Sequence, residues 1–158
     1  MKRLTWLVGP PAAGKTTWAA SLRTQPEPPR ILELADMLHP LIDPAKSRKG
    51  MMRAKGLLMR AIREVELEPS NDGLPPLVVI VALVRQEDLF PLLPGEEVLL
   101  LLPPREQWER QFLGRLQAAA PGGRQMGLEE ASGWYERYLH WQALGLPFTS
   151  VTSPPRPG

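Results

Sequence analysis

Gly9, Gly14, Lys15 and Thr16 stand in the spacing Gly-x-x-x-x-Gly-Lys-Thr, inside the stretch LTWLVGPPAAGKTT from Leu4 to Thr17. This matches a phosphate-binding loop at every fixed position. Each residue type has a physical task in such a loop. Backbone N–H groups of Ala13, Gly14, Lys15 and Thr16 would converge on a nucleotide β-phosphate at the positive end of the helix that follows. Gly9 and Gly14 would let the backbone turn tightly and approach the phosphates where a Cβ would collide. Lys15 is the point charge for the β- and γ-phosphates, and the Thr16 hydroxyl is the expected ligand of a nucleotide-bound magnesium ion. Ala12 belongs to the same cradle, and Thr17 is placed to bond the α-phosphate. Pro10 and Pro11 carry no N–H, so they add stiffness and no contact. A match of eight residues also arises by chance. Here an apolar run, Leu4 to Val8, precedes the loop and a segment of helical composition, Lys15 to Arg23, follows it, which is the strand–loop–helix context the chemistry requires.

Two further groups of residues are candidates for chemistry. Arg30 to Ala35, RILELA, reads as a strand ending at Asp36. Ligands of open parallel sheets collect at the carboxyl ends of strands, so this carboxylate lies where chemistry is expected. Its alternative is a cap for the Met37-Leu38-His39 segment. Beyond it, Asp43-Pro44 starts a helix, with a capping side chain followed by proline at the first helical position. At about 100° per residue, Met51, Ala54, Leu58, Ala61, Ile62 and Val65 share one side of that helix. Lys49, Arg53, Arg60 and Arg63 share the other. This basic stripe either tracks the phosphates of an acceptor, such as a nucleic-acid 5′ end, or keeps a surface solvated.

The elements that position these groups follow from the pattern of the chain. After Asn71-Asp72-Gly73, Leu77 to Leu83 is an aliphatic run of the kind buried on both faces of a parallel sheet. Glu97 to Leu102 is a fourth strand. Pro103-Pro104 opens a helix carrying Trp108, Arg110, Phe112 and Arg115. A glycine-rich connection, 120–124, carries Arg124 and is a candidate lid. Leu128 to Leu144 places Ala131, Trp134, Tyr135, Tyr138 and Trp141 at helical spacing, as a core face with Gly145 as its stop. Phe148 to Val151 is a short fifth strand. Strands alternating with helices predict an α/β three-layer sandwich with a parallel sheet and right-handed crossovers. The 158 residues suit one domain, 1–152, with the proline-rich 153–158 as a disordered tail. The absence of cysteine excludes disulfides, thiolate metal sites and cysteine nucleophiles, and a net charge of +2 does not announce a nucleic-acid binder. No apolar run is long enough for a membrane span or has the form of a signal peptide, so a cytoplasmic location is expected.

The order of elements around GPPAAGKT resembles the small P-loop kinases, the group that includes nucleoside and nucleotide kinases, shikimate and gluconate kinases and polynucleotide 5′-kinases. The resemblance covers most of the chain in element order, but only the loop is a specific motif. It implies the P-loop NTPase fold with a five-stranded sheet in the order 2-3-1-4-5, an acceptor region after the second strand and an arginine-bearing lid after the fourth. Asp36 then looks like the carboxylate that takes the proton from the acceptor hydroxyl. Arg110 and Arg115 look like the pair at the lid edge, with Arg124 in the lid itself, neutralising charge on the transferring phosphoryl group. Two departures stand out. Many relatives end the third strand with an aspartate that orients magnesium, whereas the corresponding residue here is Ala82, which leaves the metal's outer shell to Asp36 or water. Arg110 and Arg115 are five apart, which is not the usual lid spacing. The resemblance implies ATP, or GTP, with Mg2+ and transfer of the γ-phosphoryl group to a polynucleotide 5′ end, a nucleoside or a small metabolite. An ATPase or nucleotide-dependent binding module without an acceptor would keep the loop and dispense with Asp36. The Asn-Lys-x-Asp motif of a GTP switch is absent.

Overall fold

A computed structural model describes residues 2–38, 48–118 and 126–152. The apolar segments Leu4–Gly9 (β1), Arg30–Glu33 (β2), Leu77–Ala82 (β3), Glu96–Leu101 (β4) and Thr149–Val151 (β5) form a five-stranded sheet in the order β2-β3-β1-β4-β5, parallel throughout. β1 lies at the centre with all six residues buried, as a strand covered on both faces must be. Pairing of Gly9 with Ala82 brings the carboxyl ends of β1 and β3 level. The step from β1 to β2 runs towards one edge, and every later step runs towards the other. Right-handed crossovers therefore place the first helix, Lys15–Arg23 (α1), on one face and Arg48–Glu66 (α3) on the opposite face.

Most elements fall where the sequence pattern puts them, with two corrections. β2 ends at Glu33 instead of Ala35, and Leu34–Leu38 forms a five-residue helix (α2) with Asp36 in its first turn. The apolar Leu34 and Leu38, four apart, are both buried, and that helical spacing wins over a longer strand. The second correction concerns α3. Its inward face is Met52, Lys55, Met59, Ile62 and Glu66, while Met51 and Val65, expected inside, are 40% and 54% exposed. The apolar periodicity alone points to the wrong face because two charged residues face inward and are satisfied there. Glu66 accepts a two-pronged pair from Arg30 at 3.1 and 2.7 Å. Helix start Asp43-Pro44, the lid 120–124 and the tail 153–158 lie outside the described residues.

Arg63 is likewise not part of a solvated stripe. Its Nε donates to Glu96 at 3.0 Å, a second nitrogen donates to the Leu89 carbonyl, and the guanidinium lies 5.8 Å from the Trp6 ring centre. Glu96 has a fully buried side chain and also accepts from Trp6 Nε1 at 3.2 Å. The short helix Gln86–Leu89 (α4), Arg105–Ala118 (α5) and Leu128–Ala143 (α6) complete the described fold. Residues Trp134, Tyr135, Tyr138 and Trp141 of α6 are buried as its spacing predicts, and Gly145 ends the segment with a φ of 67°. Among the described residues no helix is long and apolar enough to cross a membrane. Because Glu96 has no access to water, Arg63→Ala strands a buried carboxylate and should cost roughly 3–5 kcal/mol in urea unfolding. Adding Glu96→Gln should recover part of that loss, and a single variant as stable as wild type would show the pair to be dispensable.

Candidate functional site

β1 ends at Gly9 and α1 begins at Lys15, so the loop turns at the carboxyl edge of the sheet. A Cβ on Gly9 would lie 2.5 Å from the Leu101 carbonyl oxygen, which makes glycine a packing requirement against the end of β4. That reason differs from the close phosphate approach read from sequence. Gly14 takes a left-handed φ of 103° as it caps α1, and Ala12 takes 63° without being glycine. The Ala13 N–H donates to Pro10 O at 3.3 Å, so this amide closes the turn instead of facing outward. The amides of Gly14, Lys15, Thr16 and Thr17 have no backbone partner among the described residues, and the first helical bond runs from Trp18 to Gly14 at 2.9 Å. Donors at a helix N-terminus with the helix dipole behind them form an anion cradle. Thr16 and Thr17 are exposed in the same turn.

Lys15 Nζ donates to the carbonyls of Gly9 at 2.9 Å and Pro10 at 2.8 Å. Burial lowers its pKa to about 7, helped by the charges of Arg115 and Lys55. Arg115, in the last turn of α5, is close enough for its charge to act on Lys15, and Arg110 and Arg115 are both exposed on that helix. Arg124 lies outside the described residues. Asp36 is exposed just beyond β2 and forms no ion pair among the described residues. Arg53 and Arg60 stay solvent-facing and line one cleft of about 470 Å³ with Arg63, Arg85, Glu87 and Asp88. Lys49 lies in the first turn of α3.

Three side chains that organise this edge were not singled out for it by the sequence reading. Trp108 of α5 donates Nε1 to the Pro11 carbonyl at 2.7 Å and holds the loop from outside. Tyr138 of α6 accepts from the Val84 amide at 3.2 Å and holds the turn after β3; burial raises its pKa. Lys55 of α3 donates Nζ to the Ala82 carbonyl, and burial lowers its pKa to about 8. The signal for Lys55 was its place four residues before Met59 and seven before Ile62, a charge on a core face. Among the described residues no cluster of three or more histidine or acidic side chains is placed to hold a metal. The exposed Thr16 hydroxyl suits an ion that arrives with nucleotide phosphates, whose oxygens supply most of its shell.

The parallel 2-3-1-4-5 sheet with its glycine-bearing loop after β1 is a fold also found in solved small kinases. Among solved structures it is similar to shikimate kinase from Acinetobacter baumannii in complex with shikimate, with a TM-score of 0.60 at 13% identity over 98% of this chain and 86% of that one. Shikimate kinase from Bacteroides thetaiotaomicron gives 0.60 at 13% identity over 96% and 86%. Deoxyadenosine kinase from M. mycoides with bound dATP gives 0.50 at 16% identity over 96% and 91%. No protein-family model matches the sequence, and no curated protein matches it.

The buried ammonium of Lys15 has a consequence for stability. Unfolding returns it to its ordinary value near 10.5 from about 7. Between these values the unfolded chain binds a proton that the folded chain lacks, so this group's contribution to stability rises with pH. Lys15→Met should therefore melt above wild type at about pH 6, with the margin shrinking towards about pH 10. A margin that stays constant across that range in differential scanning fluorimetry would refute the buried-cation account.

Proposed function

We propose that the protein is a magnesium-dependent kinase that moves the γ-phosphoryl group of ATP to a hydroxyl of a small acceptor. The observation that carries this reading is the gathering at one strand edge of the Gly14–Thr17 amides and the half-buried Lys15 ammonium, with the charge of Arg115 acting on it, a set suited to a polyphosphate. The solved structures it resembles include a shikimate kinase and a deoxyadenosine kinase, which favours an acceptor hydroxyl over a bare ATPase. In the reaction the acceptor oxygen bonds to the γ-phosphorus as the bond to the β–γ bridging oxygen breaks and ADP leaves. The acceptor proton passes to Asp36, beyond the end of β2. Lys15 would hold the phosphates, Thr16 would hold magnesium with Asp36 or water as its further support, and Arg115 and Arg124 would neutralise charge on the transferring group.

Arg53 and Arg60 on one cleft, where Arg85 pairs with Glu87 and Asp88, favour an acceptor that carries negative charge. A nucleoside, a metabolite and a nucleic-acid 5′ end all remain acceptors of the right kind. The internal role of Arg63 shortens the stripe that a polynucleotide would follow and weights the reading towards a small molecule. The alternative is an ATPase or nucleotide-dependent binding module, and Ala82 in place of a carboxylate at the end of β3 is the feature in its favour.

ATP with magnesium at about 100 times its dissociation constant should add ~2.7 kcal/mol of stability, or roughly 5–10 °C of melting temperature. Lys15→Ala should erase that shift, and a shift that persists would mean the loop is not the nucleotide site. With labelled ATP and a panel of sugars, nucleosides and oligonucleotides, Asp36→Asn should lose transfer to the acceptor while keeping the melting shift. Transfer at the wild-type rate by that variant would exclude Asp36 as the base.

A further inference from the structure

Lys15 and Lys55 cap the ends of two neighbouring strands. Gly9 and Ala82 are paired in the register of β1 and β3, so their backbones lie one strand spacing apart, about 4.8 Å. Lys15 Nζ bonds to Gly9 O, and Lys55 Nζ bonds to Ala82 O and lies 3.5 Å from Leu83 O. Two ammonium groups therefore sit side by side at the strand edge, close enough that the charge of Lys55 bears on Lys15. Neither forms an ion pair among the described residues. The acid whose charge reaches Lys55 is Asp88, and its carboxylate is turned to Arg85 at 3.3 Å and pressed against Gly56, where an added Cβ would be 3.0 Å from it.

The backbone around this pair is strained. Ala12 and Leu83 have φ of 63° and 58°, and they are the non-glycine residues with positive φ among the described residues. One belongs to the turn after β1 and the other to the turn after β3. Such outliers persist where the surroundings enforce them, commonly at ligand sites. Tyr138 and Trp108 supply that enforcement through Val84 and Pro11.

We propose that Lys55 is a second phosphate-binding cation of this site, meeting the γ-phosphoryl group from the β3 side while Lys15 holds it from the β1 side. This rests on the kinase reading and adds to it a residue for which the sequence offered no role. The carbonyls of Ala82 and Leu83 are neutral acceptors; exchanging them for phosphate oxygens adds the attraction of opposite charges to the bonds of Lys55. When the acceptor oxygen bonds to phosphorus and the bridging oxygen departs with its electron pair, Lys55 keeps all its protons and neutralises charge on the phosphoryl oxygens. A cation here also repels a divalent ion from the end of β3 and leaves the metal to the side of Thr16.

The test is calorimetric titration of the whole protein with AMP-PNP and with ADP, each with magnesium. It compares wild type, Lys55→Met, Lys55→Arg and Lys15→Ala. Lys55→Met should weaken AMP-PNP about tenfold or more and ADP about twofold or less, since only the triphosphate reaches Lys55. Lys55→Arg should recover much of the loss. Melted without ligand, Lys55→Met should equal or exceed wild type, because it removes a buried charge; a lysine with a purely structural role would give the reverse. If Lys55→Met does not fold, Lys55→Gln carries the same comparison. A wild-type ratio of AMP-PNP to ADP affinity in the neutral variant, with Lys15→Ala weakening both ligands, overturns the role of Lys55 and leaves the kinase reading in place. A wild-type protein that binds neither nucleotide overturns both.

Discussion

Charged side chains meet opposite charges directly at one end of the sheet and rest on neutral carbonyls at the other. At the amino end, Arg63 meets Glu96, and Arg30 meets Glu66 with two hydrogen bonds. Thr5 gives its hydroxyl to Glu97 at 2.8 Å. At the carboxyl end, Lys15 and Lys55 donate to carbonyl oxygens among the described residues. The first arrangement makes the second possible. Arg63 and Glu66 fix the far end of α3 to two different strands, and Lys55 lies about 12 Å back along the same helix, carried to the strand tips on a rigid rod. A flexible side chain on a loop would escape to water; one mounted on a helix clamped in this way is held in a place that costs it solvation.

The loops at this edge are held by aromatic side chains whose rings are core and whose polar tips are not. Trp108 is fully buried, yet its indole N–H reaches the Pro11 carbonyl. Tyr138 is fully buried, yet its hydroxyl meets the Val84 amide. Tyr135 stacks at 4.9 Å from Trp108 and gives its hydroxyl to Pro103, while Trp141 meets Phe90 edge to face at 5.4 Å. Helices α5 and α6 thus fasten the turns that follow β1 and β3 to one hydrophobic cluster. An electrostatic site works by holding its groups where charge will develop, so that little reorganisation is left for the moment of reaction. Packing area in this protein is converted into that rigidity.

What the sequence made legible was local chemistry. The eight residues from Gly9 to Thr16 define their own conformation, because the glycine spacing, the strand before and the helix after all lie within one short stretch. The aliphatic β3 and the aromatic face of α6 were legible for the same reason, since a periodicity is a local property. Lys55, Arg63 and Glu66 were not, because their partners lie 27, 33 and 36 residues away. A charged side chain on an apolar face reads as an interruption until its distant partner is known. Asp36 was located near a strand end and proved to belong to a helix, because Leu34 and Leu38 needed burial on one side of it.

The substitution pattern at the end of β3 sets the electrostatic character of the site. That strand ends in Ala82, which carries no charge, with the Lys55 ammonium on its carbonyl. Arg115 also acts on Lys15, and burial outweighs the charge of Asp88 at Lys55, so both lysines are drawn down from their ordinary value. A polyanion relieves all three strains at once: it neutralises the charges, replaces neutral acceptors with charged ones and restores the lysines to their protonated forms. Positions like these carry a cost to the fold that an anionic occupant would return on binding, a trade between stability and activity. The same argument ranks the residues of this edge, since a group whose folded-state penalty vanishes only when a triphosphate arrives is coupled to that ligand in a way that a surface arginine is not.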